Sequence, residues 1–408
     1  MSNIVLAGLK HDSNLGDQVI LLCVKHMLSD SFRELHITDV EIREMDLAGR
    51  VSIDYTPACA GRLILLMLKV IRKAADILHL KEFARLMRSH ECRQGMEMQC
   101  KQICDENTNA IIFAGGGIIK FKGQDFSDQI DVITKFADDY KIPVMFSAVG
   151  IEGYDGANAS CRKLQAALNR SCVRVITTRD DFRLLNDTYC KGNMNVRTAL
   201  VADAACSLSR YFPSNQFKEK RIIGLGVARE GLFLDYGIKF NKESMLTFWE
   251  SLIHEIEKRG YMWKLFSNGA SSDQLFAEEL LQHMGIQEEL KHVLLAERPT
   301  STQALAGIIN RFSGVIVCRL HASIIAYSYG IPAVGLVWNE KQVMFGKAIG
   351  CEEHFFRVDR FEPGAIVETL LSAMEKGYDE KARAEYCRTT EAEIRGFLKG
   401  VYDSAVMV

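Results

Sequence analysis

The sequence predicts an α/β protein with two Rossmann-like domains, each built on a parallel sheet, that face each other across a cleft. Short apolar runs ending in glycine or polar turns alternate with helical patterns along the chain. Such alternation requires crossover connections between parallel strands. The chain has 408 residues, and single cores stop growing at about 250 to 300 residues. We therefore expect two domains rather than one.

The first domain is expected over residues 1–215. Four apolar runs, each followed by a helical pattern, predict its strands and helices. The runs are NIVLAG, AIIFAGGG, IPVMFSAVG and VRVITT, and the helices are predicted over 18–29, 126–140, 158–169 and 180–189. A basic helical insert near residues 57–105 interrupts the alternation.

The second domain is expected over residues 216–378, because the polar stretch PSNQFKEK at 213–220 is typical of a linker. The alternation of strands and helices restarts after it. Strands are predicted at RIIGLGVA, YMWKLFS, HVLLAE, GVIVC and IPAVGLV, and helices over 244–259, 271–284, 302–312, 320–329 and 342–349. Residues 379–408 are expected to form a charged C-terminal helix that crosses back to the first domain.

Charge and cysteine content exclude several classes of protein. Fifty Lys and Arg oppose 52 Asp and Glu, a net charge of -2, so we expect no nucleic-acid partner. The 12 cysteines are dispersed, which favours the reducing cytoplasm over a disulfide scaffold. The first residues lack the features of a signal peptide, and the longest apolar stretch, 63–71, is too short and too charged to span a bilayer. We expect a cytoplasmic protein, soluble or at the inner face of the membrane.

The candidate site residues follow predicted strands, because ligands of open parallel sheets bind beyond the carboxyl ends of the strands. The first set is Asn14, Gly16 and Asp17, in front of a helix expected near Gln18. Asp17 is interpreted equally well as the N-cap of that helix. In the functional interpretation, Gly16 lets the backbone approach a ligand that Asn14 orients.

The second set is the glycine run Gly115, Gly116 and Gly117, directly after the apolar segment AIIF. A tight turn is the simple interpretation. Three adjacent glycines lose more backbone entropy than a plain turn requires, and their exposed N–H groups can hold an anion, which favours approach of a ligand. The run GLGVAR, from Gly224, lacks the third glycine of a dinucleotide fingerprint.

The third set is Arg319 and His321, which follow the apolar run GVIVC and begin a predicted helix. At a helix N-terminus the backbone N–H groups and the helix dipole favour an anionic ligand. An arginine can bind a carboxylate or a phosphate through two parallel hydrogen bonds. A lone histidine is more often structural, but beside Arg319 the imidazole of His321 is a candidate catalytic group.

Five segments together resemble the polysaccharide pyruvyl transferase family over nearly the whole chain. They are NxGDxxI from Asn14, AGGG from Ala114, TTRDDF from Thr177, VADAA from Val201 and CRLHASIIAYSYGIPAVGL from Cys318. The most specific part is RLHA, followed by an apolar helix, a G-x-P step and Lys341. The resemblance implies a glycosyltransferase-B-like pair of domains that transfers pyruvate from phosphoenolpyruvate to a sugar of a polysaccharide or its lipid-linked precursor, as a ketal.

The resemblance also implies roles for individual residues. The essential histidine of the family carries over to His321 and the neighbouring arginine to Arg319. Further basic positions of the donor pocket have Arg179, Arg229 and Lys341 as candidates. No cofactor is expected, since phosphoenolpyruvate is a donor substrate, and the candidate site residues require no metal.

The proposed chemistry explains these residue types. Phosphoenolpyruvate is densely anionic, so binding it calls for guanidinium groups and backbone N–H donors. Ketal formation protonates the enol carbon and adds two hydroxyl groups, which requires a group with a pKa near neutrality. We expect His321 to act either as general acid at the methylene carbon or as general base at the attacking hydroxyl. Two departures from the family pattern, no proline after the aspartate of VADAA and Trp338 in place of a commoner tyrosine, concern the acceptor more than the donor.

The basic insert has two interpretations. Nine basic side chains lie between Arg62 and Lys101, against four acidic ones. In one interpretation they form the solvated face of a helical hairpin. In the other they make a peripheral contact with anionic lipid, which brings the site to a lipid-linked acceptor.

Three other functions stay open on the sequence alone. A glycosyltransferase that uses a sugar nucleotide fits the same fold, with Trp338 and Glu340 as the residues that prevent its exclusion. A non-catalytic partner in polysaccharide assembly would keep the fold, but the intact Arg319, His321 and glycine run argue against it. An oxidoreductase is disfavoured because the glycine fingerprint and an acidic ribose-binding residue are not both present.

Overall fold

The computed structural model describes residues 2–11, 14–48, 81–121, 125–213 and 221–405. The chain forms two compact units. Unit 1 comprises the described residues of Met1–His11, Phe32–Ala199 and Phe397–Val408, and unit 2 those of Asp12–Ser31 and Leu200–Gly396. The main change of unit therefore falls at residue 200, and the end of the chain groups with unit 1. The limits 1–215, 216–378 and 379–408 stay a prediction for independently folding domains.

Thirteen strands are present in the described residues. In chain order they are β1 (Ser2–Gly8), β2 (Val40–Asp46), β3 (Thr108–Ala114), β4 (Ile119–Lys120), β5 (Val144–Val149), β6 (Ile151–Glu152), β7 (Val173–Thr178), β8 (Arg197–Leu200), β9 (Ile222–Gly226), β10 (Met262–Phe266), β11 (Gly314–Val317), β12 (Ala333–Val337) and β13 (Phe355–Arg357). They form a six-stranded sheet, a five-stranded sheet and the pair β4–β6.

The helices alternate with these strands. In chain order they are α1 (Leu15–Glu34), α2 (Lys81–Ile103), α3 (Ser127–Asp139), α4 (Ala159–Leu168), α5 (Phe182–Leu184), α6 (Leu208–Tyr211), α7 (Gly231–Leu234), α8 (Lys242–Lys258), α9 (Ser271–His283), α10 (Glu288–Leu294), α11 (Thr302–Ile309), α12 (Leu320–Ser328), α13 (Glu340–Ala348), α14 (Pro363–Lys376), α15 (Glu380–Cys387) and α16 (Thr389–Ala405). Side chains that accept N–H groups of the first turn start several of them, at Asn158, Asn241, Ser301 and Asp379.

The six-stranded sheet has the order β2-β1-β3-β5-β7-β8 and is parallel from β2 to β7. Strands β3 and β5 are buried along almost their whole length, as expected where helices cover both faces of a parallel sheet. Phe113 and Phe146 are register partners on these strands, and their rings stack with centroids 4.3 Å apart. This aromatic pair lies in the core of unit 1.

The five-stranded sheet of unit 2 has the order β10-β9-β11-β12-β13, and all its pairs are parallel. Gly224 in β9 is required by packing, because a Cβ there would overlap the ring of Phe312. Since the strands are parallel, the loops after β9, β10, β11 and β12 begin at one edge of the sheet. That edge carries Arg319 and His321, which follow β11.

The predicted α/β class with parallel sheets is confirmed, but three local predictions were wrong. HVLLAE, residues 292–297, is not a strand, because α10 covers its first half. Glu288 and Glu289, before this run, begin the helix and complement its dipole. Of the six residues, only Leu295 bridges to β10. The helix expected from residue 18 begins at Leu15. The C-terminal helix is interrupted at Arg388 and forms α15 and α16.

The basic insert is described in part. Residues 57–80 lie outside the described residues, and α2 forms the rest. Arg93 of α2 makes ion pairs with Asp128 and Asp131 of α3, so this charge is used within unit 1. Within the described ranges, no helix combines the length and the apolar character needed to span a bilayer.

Candidate active site

Residues 319–321, here called the RLH turn, connect β11 to α12. Arg319 is the N-cap residue of α12, with an extended backbone and no capping hydrogen bond from its own side chain. Leu320 and His321 are the first two residues of the helix. The start of a helix attracts anions through its N–H groups and its dipole.

A buried carboxylate holds Arg319 in place. Asp273, 0% exposed in the first turn of α9, accepts hydrogen bonds from Nε of Arg319 at 2.9 Å and from its Nη2 at 2.8 Å. The same carboxylate accepts the backbone N–H of Arg229 at 2.9 Å. Arg229 follows β9, Asp273 follows β10 and Arg319 follows β11, so one side chain joins three strand ends. The bidentate geometry also fixes the direction of the guanidinium.

The residue His321 is 7% exposed, and its ring lies next to a second buried carboxylate. Its Nε2 is 3.8 Å from Oδ2 of Asp203, which is 2% exposed. The other oxygen of Asp203 accepts the N–H of Ala205 at 2.8 Å and so caps the turn that follows. A distance of 3.8 Å is too long for a hydrogen bond, but the carboxylate attracts a protonated imidazole.

A buried thiol that feels the charge of Asp203, that of Cys23, stays neutral. Burial, and then the charge of Asp203, raise the pKa of Cys23 well above its ordinary value. Cys23 lies in α1.

Gly16 is required because the imidazole of His321 packs on it. A Cβ built on Gly16 would overlap Nδ1, Cγ and Cβ of His321. Since α1 begins at Leu15, Asp17 lies inside its first turn and is not its N-cap. Asn14 takes that place, because its Oδ1 accepts the N–H of Gly16 at 3.4 Å. The group that approaches the Gly16 backbone is thus a side chain of the same unit.

The glycine run and Arg179 lie in unit 1. Gly115 and Gly116 have φ of 57° and 68°, a left-handed conformation that favours glycine. The N–H of Gly115 donates to the carbonyl of Ser147 at 3.2 Å, and the carbonyl of Gly116 accepts the N–H of Gly150 at 2.7 Å. These bonds bring the loop after β3 against the loop after β5, which explains the glycines structurally. Binding of an anion there stays a prediction.

Arg179 follows β7 and is buried. Its backbone N–H donates to the carbonyl of Val149 at 3.4 Å. The next residue, Asp180, accepts the N–H of Ile151 at 2.8 Å through Oδ1. The turn TTRD is therefore bound to the loop after β5, on the same side as the glycine run.

Arg229 and Lys341 lie in unit 2 with the RLH turn. The guanidinium of Arg229 makes an ion pair with Asp235 at the surface. Lys341 lies half-buried in the first turn of α13, the helix that follows β12. The predicted site residues are thus divided between the units. Those in unit 2 are Asn14, Gly16, Asp17, Arg229, Arg319, His321 and Lys341, and those in unit 1 are Gly115, Gly116, Gly117 and Arg179.

Two residues of the site were not identified from the sequence. Asp203 belongs to VADAA, a segment that supports the family resemblance, but it is not among the predicted site residues. Asp273 follows the predicted strand YMWKLFS, so the rule that placed the other candidates at strand ends also applies to it. For a metal, the described residues contain no group of three or more His, Cys, Asp or Glu side chains that could hold an ion.

Comparison with known proteins gives a family and a fold. The family model described as polysaccharide pyruvyl transferase matches residues 14–340, which include the RLH turn and Asp203. No curated protein sequence is significantly similar to the chain. The chain is similar in structure to the UDP complex of MnaA from S. aureus, with a TM-score of 0.55, 11% identity and coverage of 99% of this chain and 97% of that one.

Two further structures are similar over almost their whole length. A putative UDP-N-acetylglucosamine 2-epimerase from Listeria monocytogenes has a TM-score of 0.58 at 9% identity, with 98% of this chain and 97% of that one covered. The UDP-GlcNAc 2-epimerase from Methanocaldococcus jannaschii has a TM-score of 0.53 at 10% identity, with 97% and 99% covered. These likenesses show a glycosyltransferase-B-like fold.

Proposed function

Because the chain belongs to the polysaccharide pyruvyl transferase family, we propose that it transfers pyruvate from phosphoenolpyruvate to two hydroxyl groups of a sugar, as a ketal. The sugar belongs to a polysaccharide or its lipid-linked precursor. The observation that carries the proposal is the RLH turn at the start of α12, with His321 beside the buried Asp203. A helix start favours an anionic donor, and the histidine supplies a group that moves protons.

The proposed reaction balances without an oxidant or a reductant. Two C–O bonds form between C2 of the donor and two sugar oxygens, and the bond between C2 and the phosphate oxygen breaks. One of the two hydroxyl protons ends on C3, which becomes a methyl group, and the other leaves with inorganic phosphate. His321 either delivers the proton to C3 or accepts it from the attacking hydroxyl, and Asp203 stabilises the ring while it is protonated.

A buried hydrogen-bond donor, the side-chain amide of Asn268, belongs to a residue that contacts the start of α1. The carbonyl of Asn268 accepts the N–H of Leu15 at 3.0 Å. Its side-chain amide Nδ2 is buried and has no hydrogen-bond partner among the described residues. Buried donors are normally paired, and a bound phosphate or carboxylate would supply the acceptor. Arg319 holds the RLH turn in place through its hydrogen bonds to Asp273. It stays a prediction that basic side chains compensate the charge of phosphoenolpyruvate, with Arg319, Arg179, Arg229 and Lys341 as candidates.

The assay that tests the function is release of inorganic phosphate from phosphoenolpyruvate. Acceptors ending in galactose, glucose or N-acetylmannosamine are offered one at a time. We expect release that depends on both the donor and one class of acceptor. Consumption of a UDP-sugar with any of these acceptors, and no release from phosphoenolpyruvate, would instead identify a sugar-nucleotide glycosyltransferase. A cytoplasmic location and contact of the insert with anionic lipid also stay predictions.

Substitution of Gly16 tests whether the position of His321 matters. In Gly16→Ala the new methyl group displaces the imidazole, so we expect phosphate release to fall by up to about 100-fold, as misplacement of a catalytic group does. Gly307→Ala is the matched control, because Gly307 lies in α11 and a Cβ there meets open space. The rate of phosphate release is measured for both variants by steady-state kinetics. Equal activity of the two variants would contradict a catalytic role for His321.

A further inference from the structure

Two aromatic side chains from different loops meet at the carboxyl edge of the unit 2 sheet. Tyr236 lies in the loop after α7, and Trp338 directly follows β12. Their ring centroids are 4.8 Å apart with an interplanar angle of 73°. Tyr236 is 45% exposed, and Trp338 is partly exposed. The edge-to-face pair therefore presents aromatic surface to solvent at the side of the sheet where ligands bind.

Trp338 is held rigidly against the RLH turn. Its Nε1 donates to the carbonyl of Cys318 at 2.6 Å, and its backbone N–H donates to Oε1 of Gln342 at 2.9 Å. The fully buried Gln342 donates in turn to the carbonyls of Cys318 and Leu336. Because Cys318 is the residue before Arg319, these bonds fix the indole relative to the turn that carries His321.

The charges beside the two rings are neutralised in pairs. Asp235, next to Tyr236, pairs with Arg229. Glu340, two residues after Trp338, accepts two hydrogen bonds of 2.8 Å from the guanidinium of Arg357. Because these charges are paired, the surface of the two rings suits a neutral ligand that has an apolar face and polar groups at its rim. A hexose ring has this character, because one face presents C–H groups and the hydroxyl groups lie around the edge.

We propose that Tyr236 and Trp338 form a subsite for a neutral sugar ring of the acceptor glycan. This inference rests on the proposed function, which requires a glycan beside His321. The C–H face of the sugar packs on the aromatic pair, and its hydroxyl groups bind the paired charged groups at the rim. The preformed aromatic surface limits the entropy lost on binding.

Tryptophan fluorescence gives a test that needs no turnover. The chain has three tryptophans, and Trp249 and Trp263 are 0% and 5% exposed, so acrylamide quenches Trp338 selectively. The full chain, without donor, is titrated with oligosaccharides ending in galactose, glucose or N-acetylmannosamine. We expect one class to protect Trp338 from acrylamide, and Tyr236→Ala to weaken that protection. Trp263→Phe is the control and keeps the protection.

Kinetics provide the second readout. Tyr236→Ala is expected to raise the KM for the acceptor about tenfold, with kcat and the KM for phosphoenolpyruvate little changed. Tyr140→Ala, at an exposed tyrosine of unit 1, is the control and leaves all three unchanged. No protection by any glycan, or protection by a uridine nucleotide instead, would overturn the subsite. Protection by a glycan with no phosphate release in any assay would keep the subsite and overturn pyruvyl transfer.

Discussion

Replacement of His321 by alanine is expected to lower phosphate release by about 100-fold or more, the usual effect of losing general acid–base catalysis. The imidazole is the titratable group at the start of α12, and Asp203 lies where it stabilises the protonated ring. Coupled phosphate release under saturating donor and acceptor measures kcat. Circular dichroism and tryptophan fluorescence check that the variant keeps its fold.

Two controls separate a catalytic from a structural role of His321. His283→Ala removes an exposed histidine of α9 in the same unit and should leave activity unchanged. Added imidazole should restore part of the activity of His321→Ala, because the deleted ring leaves a space of its own size. Full activity of His321→Ala would exclude the imidazole from the reaction, and a loss that imidazole does not rescue, with a lowered melting temperature, would make its role structural.

Replacement of Asp273 by alanine is expected to destabilise unit 2 by about 3 kcal/mol, the lower end of the effect of removing one partner from a buried ion pair. The carboxylate is fully buried, whereas the Arg319 side chain is 17% exposed, so water compensates part of the loss. The variant also leaves the backbone N–H of Arg229 without its acceptor. Urea unfolding followed by tryptophan fluorescence reports on unit 2, because all three tryptophans belong to it.

Asp235→Ala is the matched control for this prediction. Its ion pair with Arg229 is at the surface, and such pairs contribute about 0 to 1 kcal/mol. The double variant Asp273→Ala/Arg319→Met removes both buried charges, and we expect it to recover part of the lost stability. If Asp273→Ala were no more destabilised than Asp235→Ala, the carboxylate would not hold the RLH turn as described.

Sequence patterns were sufficient to predict those strands and turns whose physical cause is local. Strands β3, β7, β11 and β12 coincide with predicted apolar runs, because buried parallel strands consist of short continuous hydrophobic segments. The RLH turn was located at the end of β11 for the same reason, since the change from a strand to a helical period marks its position. The run HVLLAE failed because a short apolar segment fits a strand and a helix equally well.

Sequence patterns could not predict which side chains contact the site residues. Asp203 and His321 are far apart in the chain, and so are Asp273 and Arg319, and nothing in the spacing of such pairs indicates contact. Each aspartate also has a local explanation that hides its second role. Asp203 is the N-cap of a helical turn, and Asp273 complements the helix dipole in the first turn of α9. The position of Gly16 shows the same difficulty, because the first residues of α1 group with unit 2 although β1 belongs to unit 1.

Composition and hydrophobic period therefore establish the α/β class, most of the elements and the turn that carries His321. Tertiary packing alone decides that Asp203 faces the imidazole, that Asp273 binds Arg319 and that Gly16 lies under the ring. The physical reason is range: periodicity and capping act between residues within a few positions of one another, whereas a buried charge is satisfied by whichever side chain the folded chain brings within about 3 to 4 Å.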